Sequence, residues 1–190
     1  RILAIMPTRA HFVFNCAISE CARISRDRHG CCVLQRCLDQ ESPFRDSIIT
    51  EIVRHSRKLV GDPFGNYVVQ YILDLKQPPL TLGVAQALGG AIAELSVQKF
   101  SSNVIEKCLK SNSADVISLV SVEIIQAKQL GQLLHDPFAN YVIQTLLTVS
   151  RDDEARALLD KLTPHIRTLR STLYGKRIQA KLLKRFPHLR

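Results

Sequence analysis

Asparagine, tyrosine and glutamine recur in this chain in one fixed arrangement. Asp62-Pro-Phe-Gly-Asn-Tyr-Val-Val-Gln70 is written again as Asp136-Pro-Phe-Ala-Asn-Tyr-Val-Ile-Gln144, and looser copies stand at His29-Gly-Cys-Cys-Val-Leu-Gln35, Phe100-Ser-Ser-Asn-Val-Ile-Glu106 and Tyr174-Gly-Lys-Arg-Ile-Gln-Ala180. Counted from the small residue of each copy, the first, second and fifth positions are Cys31, Cys32 and Gln35; Asn66, Tyr67 and Gln70; Ser102, Asn103 and Glu106; and Asn140, Tyr141 and Gln144. First and fifth residues lie one helical turn apart, so they share a face and can pinch one flat ligand edge. A carboxamide both donates and accepts: an Asn/Gln pair can match the N3–H and carbonyl of uracil, and Gln beside a small residue can match the N1 and amino group of adenine. Glutamate only accepts, which suits the two adjacent donors of guanine and sets Ser102/Glu106 apart from the other pairs. Tyr67 and Tyr141 offer planes on which bases stack, worth about 1–3 kcal/mol each.

A lone Asn or Gln on a helix face ordinarily meets water, and a tyrosine beside it ordinarily packs. What gives these residues weight is repetition at one register, with the polar identities changing while the apolar skeleton holds. Were the faces merely solvated, Lys, Glu and Arg would dominate them.

The elements that must present these residues follow from the same recurrence. The small residues Gly30, Gly65, Ser101, Ala139 and Gly175 are 35, 36, 38 and 36 residues apart, a period that indicates a stack of similar units. At about 100° per residue, Val68, Val69, Ile72 and Leu73 fall on one face, while Asn66, Tyr67, Gln70 and Asp74 fall on the other. The expectation is a short amphipathic helix with its polar face exposed. Asp62-Pro63 and Asp136-Pro137 suit helix starts, the carboxylate capping free N–H groups and the proline occupying the first turn. A small residue just after them would let a neighbouring helix come close.

Read in order, residues 1–7 show no unit pattern. A helix is expected over Thr8 to Arg26, another through Ile48, Ile49, Ile52, Val53 and Leu59, and an end at Lys76-Gln-Pro-Pro79, since proline cannot continue a helix. Gly89-Gly90 is a soft spot, an apolar run continues from Ile117 to Leu134, and Asp152-Asp-Glu154 opens a helix running to Arg170. Lys176 and Arg177 replace the Asn-Tyr pair and Ala180 replaces Gln, so the last copy reads as a terminal cap with a basic edge. The expected units are 8–41, 42–79, 80–112 and 113–150, with the cap at 151–190, all within one domain spanning 1–190.

Composition narrows the function classes. The chain has 190 residues, 46% apolar content and a net charge of +9, which favours an anionic partner. It has no apolar run of about 18 residues and no signal-peptide pattern, so no membrane association is expected. Of the six cysteines, five crowd into 22 residues between Cys16 and Cys37, with Cys108 apart. No CxxC or Cys/His pair has ligand spacing, so reduced, packed thiols are expected rather than a metal site. His29, His55 and His135 are not set against a nucleophile or paired carboxylate, and no glycine loop cradles phosphate. No enzymatic activity and no cofactor are expected.

Together, His29-Gly-Cys-Cys-Val-Leu-Gln, Gly65-Asn-Tyr-Val-Val-Gln, Ser102-Asn-Val-Ile-Glu-Lys and Ala139-Asn-Tyr-Val-Ile-Gln resemble the PUF (Pumilio-homology) RNA-binding repeat over residues 8 to 190, and match the last four repeats and C-terminal cap of a domain that normally has eight. The resemblance implies an all-α solenoid, a crescent of about five stacked three-helix repeats. It also implies single-stranded RNA as partner, read one base per repeat with the RNA 5′ end toward the C-terminus. On that polarity the triads spell 5′-UGUA-3′. The family binds 3′ untranslated regions of messenger RNA in the cytoplasm and recruits deadenylation or translation-repression factors, and the expected state is a monomer. Cys32 departs from the arginine or aromatic residue common at that stacking position. The alternative from another class is a helical-repeat scaffold for a protein partner, against which the base-edge chemistry of the triads speaks.

Overall fold

The structure, a computed structural model, describes residues 11–187. Arg1 to Pro7 and the first residues of the helix expected from Thr8 lie outside them. No strand occurs among the described residues. The chain forms two compact units, Arg1–Ala87 and Leu88–Arg190.

The first unit holds α1 (His11–Ser19), α2 (Cys21–Ser25), α3 (Gly30–Leu38), α4 (Arg45–Leu59), α5 (Gly65–Asp74) and most of α6 (Pro78–Leu88). The single helix expected up to Arg26 is therefore two, with Glu20 between them. α3 and α5 pack on each other, and α4 packs against α1, α2, α3 and α5. Their core is the apolar stripe visible in the sequence: Leu34, Ile48, Ile52, Leu59, Val68, Val69 and Ile72 are fully buried.

The second unit holds α7 (Ile92–Ser96), α8 (Ser101–Leu109), α9 (Ala114–Gln126), α10 (Leu130–Leu133), α11 (Ala139–Val149), α12 (Asp152–Leu162), a 3-10 turn (Thr163–His165), α13 (Ile166–Leu169) and α14 (Leu173–Arg185). Two runs expected to be continuous are broken. The apolar run to Leu134 stops at Ala127, where ψ swings to 120°, and the helix expected from Glu154 to Arg170 yields to the 3-10 turn at Thr163-Pro164-His165. Proline disrupts the helical hydrogen bonding there. The repeat is thus a long helix, a short helix and a third helix, except that α4 in the first unit has the first two fused. The third helices α8, α11 and α14 pack side by side, and α9 packs on α12.

The third helices that open at Gly30, Gly65, Ser101 and Gly175 start hard against the helix before them. A Cβ on Gly30 would stand 2.3 Å from the Ile24 carbonyl oxygen, one on Gly65 3.0 Å from that of Leu59, and one on Gly175 2.2 Å from that of Leu169. Where the third repeat carries serine instead, the Ser101 hydroxyl donates to the equivalent Leu95 carbonyl at 2.6 Å, turning the close approach into a bond. The small residue therefore serves a helix of its own repeat.

The same junction is capped from three residues upstream. Asp62 Oδ1 accepts from Phe64 N and Gly65 N, both at 2.9 Å, and Asp136 Oδ1 from Phe138 N and Ala139 N, both at 2.8 Å. Asp27 repeats this on His29 N and Gly30 N, and Thr172 does so with its hydroxyl on Gly175 N. These two caps were readable from the three-residue offset to the small residue. The Gly30 and His29 donors hold the Asp27 carboxyl below its ordinary range. Burial would raise that of Asp62, but the Gly65 N–H, the Arg26 guanidinium at 2.9 Å and the Phe64 N–H outweigh it and hold it low.

Gly175→Ala tests the close approach by sign. Helix propensity alone favours alanine by about 0.5–1 kcal/mol, whereas overpacking against a backbone carbonyl costs about 1–3 kcal/mol. Denaturant unfolding is expected to show net destabilisation for Gly175→Ala. Gly83→Ala, whose Cβ would meet Val53 Cγ1 at an ordinary 3.5 Å, is expected to be neutral or stabilising.

Candidate nucleic-acid interface

The triads sit at the starts of α3, α5, α8 and α11, where the caps fix the first turn. In the first unit, Tyr67 is 55% exposed and Cys32 is exposed, but Asn66 is only 2% and Cys31 5% exposed. In the second, Tyr141 is 47% exposed and Asn103 exposed, whereas Ser102 and Asn140 are buried. The wheel placed Asn66 on the open face, and the structure corrects this. A helical side chain lies over the turn N-terminal to its own Cα, so Asn66 drops into the capped turn. There its Nδ2 donates to the Asp62 carbonyl at 2.8 Å and the Pro63 carbonyl at 3.0 Å.

The consequence for Gln70 is direct. Its Nε2 donates to Asn66 Oδ1 at 2.9 Å, so the two carboxamides pinch each other rather than standing open side by side. The second unit reproduces this at Asn140 and Gln144: Nδ2 to the Asp136 and Pro137 carbonyls at 3.0 and 2.9 Å, and Gln144 Nε2 to Asn140 Oδ1 at 2.9 Å. Asn is a bracket for Gln. It fixes which end of the glutamine amide faces inward, and leaves Oε1 and one N–H as an acceptor–donor edge.

The other two triads are built differently. The Cys31 thiol donates to the Arg28 carbonyl at 3.3 Å and lies 4.0 Å from Cys32 Sγ, and offers Gln35 no carboxamide bracket. Glu106 Oε1 is held by the Lys110 ammonium at 2.7 Å and by the Thr145 hydroxyl of α11 at 3.1 Å. Thr145 escaped the sequence reading, although it directly follows Gln144. Asn103 donates to the Lys99 carbonyl at 3.1 Å.

In the terminal repeat, Lys176 and Arg177 are exposed. Arg177 Nη1 donates to the Tyr141 hydroxyl at 3.0 Å, and its guanidinium lies 6.0 Å from the ring centroid. The basic edge expected of the cap is thus joined to the preceding triad, a cation against an aromatic plane. Among the described residues no cluster of His, Cys, Asp or Glu could hold a metal ion, and no helix is long and apolar enough to cross a membrane.

An exposed tyrosine beside an oriented glutamine amide thus recurs at one register in two of the repeats, with the intervening repeat carrying Ser102 and Glu106 at the same positions. The Pumilio-family RNA binding repeat matches residues 20–53, 57–77, 91–125 and 129–163, more than half of the chain. The chain belongs to the Pumilio family. It is 39% identical to Pumilio homolog 12 of Arabidopsis thaliana over 94% of its own length and 30% of that protein. With a Pumilio domain-containing protein of Schizosaccharomyces pombe it shares 40% identity over 93% of its length and 26% of the relative. It thus spans about a third or less of these curated relatives. Among solved structures it resembles the Puf4 RNA binding domain bound to an HO endonuclease RNA 3′ UTR recognition sequence, with a TM-score of 0.82 at 37% identity over 94% of this chain and 58% of that one. PUF-8 in complex with PBE-RNA matches with a TM-score of 0.80 at 30% identity over 93% and 54%.

Within these Pumilio repeats the thiols divide sharply. Cys21, Cys31, Cys37 and Cys108 are buried, and Cys16 and Cys32 are exposed. Burial pushes Cys108 up to about 12 and Cys21 up to about 11, so neither is a thiolate at neutral pH. Mass spectrometry after brief alkylation of the folded protein is expected to find label on Cys16 and Cys32, and to reach Cys21 and Cys108 only after unfolding.

Proposed function

We propose that this chain binds single-stranded RNA sequence-specifically, and reads 5′-UGUA-3′ from its C-terminal to its N-terminal repeat. The observation that carries this is the Asn–Gln bracket, formed with the same donors and acceptors at Asn66/Gln70 and Asn140/Gln144 and replaced between them by Ser102/Glu106. A bracketed glutamine presents an acceptor to uracil N3–H and a donor to its carbonyl. Glu106 presents acceptors alone and suits the two donors on guanine's Watson–Crick edge. Gln35, next to a thiol rather than a bracketing amide, can turn its amide to the N1 and amino group of adenine.

Affinity comes from the planes and the charge. Tyr67, Tyr141 and Arg177 supply stacking surfaces, at about 1–3 kcal/mol per base, and the chain's net charge of +9 favours the phosphate backbone. The RNA complexes of Puf4 and PUF-8 support the reading, since the chain is similar to both over more than nine-tenths of its length. The cellular role that follows is post-transcriptional control in the cytoplasm through 3′ untranslated regions, with repression or decay carried out by recruited factors.

Titration of UGUA-containing RNA against UCUA, AGUA and UGUC in one buffer tests the reading. UGUA is expected to bind tightest, each mismatch weakening it by about 1–3 kcal/mol, and equal binding to all four would end the idea. Glu106→Gln is expected to lose about 1–3 kcal/mol on UGUA and to narrow the preference for G over U or A at its position. Weaker binding with unchanged base preference would instead assign Glu106 to holding Lys110 and Thr145.

A further inference from the structure

The second unit has another concavity, which no triad residue lines. Its walls are the turn from Ile125 to Gln132, where α9 breaks and α10 restarts, and the end of α12 with Pro164 and His165; they enclose about 600 Å³. The two walls meet at Gly131, where an added Cβ would stand 2.9 Å from His165 Cε1, so the ring lies directly over the short helix.

The chemistry of the lining is one-sided. Lys128, Lys161 and His165 face this space and no carboxylate does. Both lysines are exposed, and among the described residues neither is in an ion pair. Ile125 and Pro164 give apolar walls, three glutamines give carboxamides that can pair with a peptide backbone, and His165 carries the lining's sole aromatic ring. A nucleic acid would want aromatic planes for its bases; two cations flanking an apolar slot fit a short acidic peptide better.

We propose that this cleft docks an acidic segment of a partner protein, an apolar side chain entering between Ile125 and Pro164 and its flanking carboxylates meeting Lys128 and Lys161. None of its lining comes from α8, α11 or α14, which carry the second unit's triads and basic edge. Peptide and RNA therefore occupy separate surfaces of this unit, and the cleft stands whether or not the base assignment does.

The test is a peptide array of leucine or phenylalanine flanked by Asp and Glu, with matching sets flanked by Lys and by Ser. It is probed with the labelled 190-residue chain and with its Lys128→Glu/Lys161→Glu variant. The acidic set is expected to bind in preference to the other two, to weaken about tenfold or more in the variant, and to persist under excess UGUA RNA, while a thermal melt shows the variant folded. Absence of an acidic preference, equal binding by the folded variant, or displacement of the peptides by RNA would overturn it.

Discussion

Four of the five third helices, all but the one that opens at Ala139, begin against a carbonyl near the end of the helix before them, and the reading turn depends on how that start is held. Glycine meets the constraint at positions 30, 65 and 175 by having no Cβ, and Ser101 meets it by donating to the carbonyl it would otherwise crowd. The start is then pinned by Asp27, Asp62 and Asp136 and by the hydroxyl of Thr172, each three residues upstream. A capping side chain of this kind contributes about 0.5–2 kcal/mol. Its larger effect here is geometric, because it holds open the turn whose carbonyls receive Asn66 and Asn140.

From that turn the reading surface follows. Asn is spent on the backbone and on its glutamine, so the group left to meet a ligand is one oriented amide edge beside an exposed tyrosine. Links between repeats hold these edges in register inside each unit. In the first unit Arg26 pairs with Asp62, and the Tyr71 hydroxyl donates to the Asp39 carboxylate. In the second His135 meets Thr172 at 2.9 Å, and Arg185 reaches the Leu147 and Ser150 carbonyls and Asp152. Most of these join residues about one repeat apart. Order at one helix start is thereby passed to the next, as expected where each repeat packs on its neighbours.

Much of this was legible in the sequence, for physical reasons that can be named. The apolar stripe through Val68, Val69 and Ile72 is a period that burial enforces, and the recurring Asp-Pro-Phe signals caps because proline and a short carboxylate have few other good places. Asn66 was misplaced because a helical wheel projects each residue outward from its Cα and carries no information on the lean of the side chain toward the preceding turn. The short helices after Ala127 and Pro164 were hidden because their apolar residues continue the pattern of the helix before. Thr145, and the union of Arg177 with Tyr141, are contacts between repeats that no period within one repeat encodes.

The central claim is that base choice resides in the first and fifth positions of each third helix, and exchanging one pair for another tests it most directly. The backbone at the third repeat is already set for the bracket, since Ser102 N donates to the Gln98 carbonyl at 3.1 Å just as Asn66 N donates to that of Asp62 at 3.2 Å. Ser102→Asn combined with Glu106→Gln would complete it. Competition binding with UGUA and UUUA should then show the preference moving from the first RNA to the second. A folded double variant that still prefers UGUA, or that no longer distinguishes the two, would contradict the account.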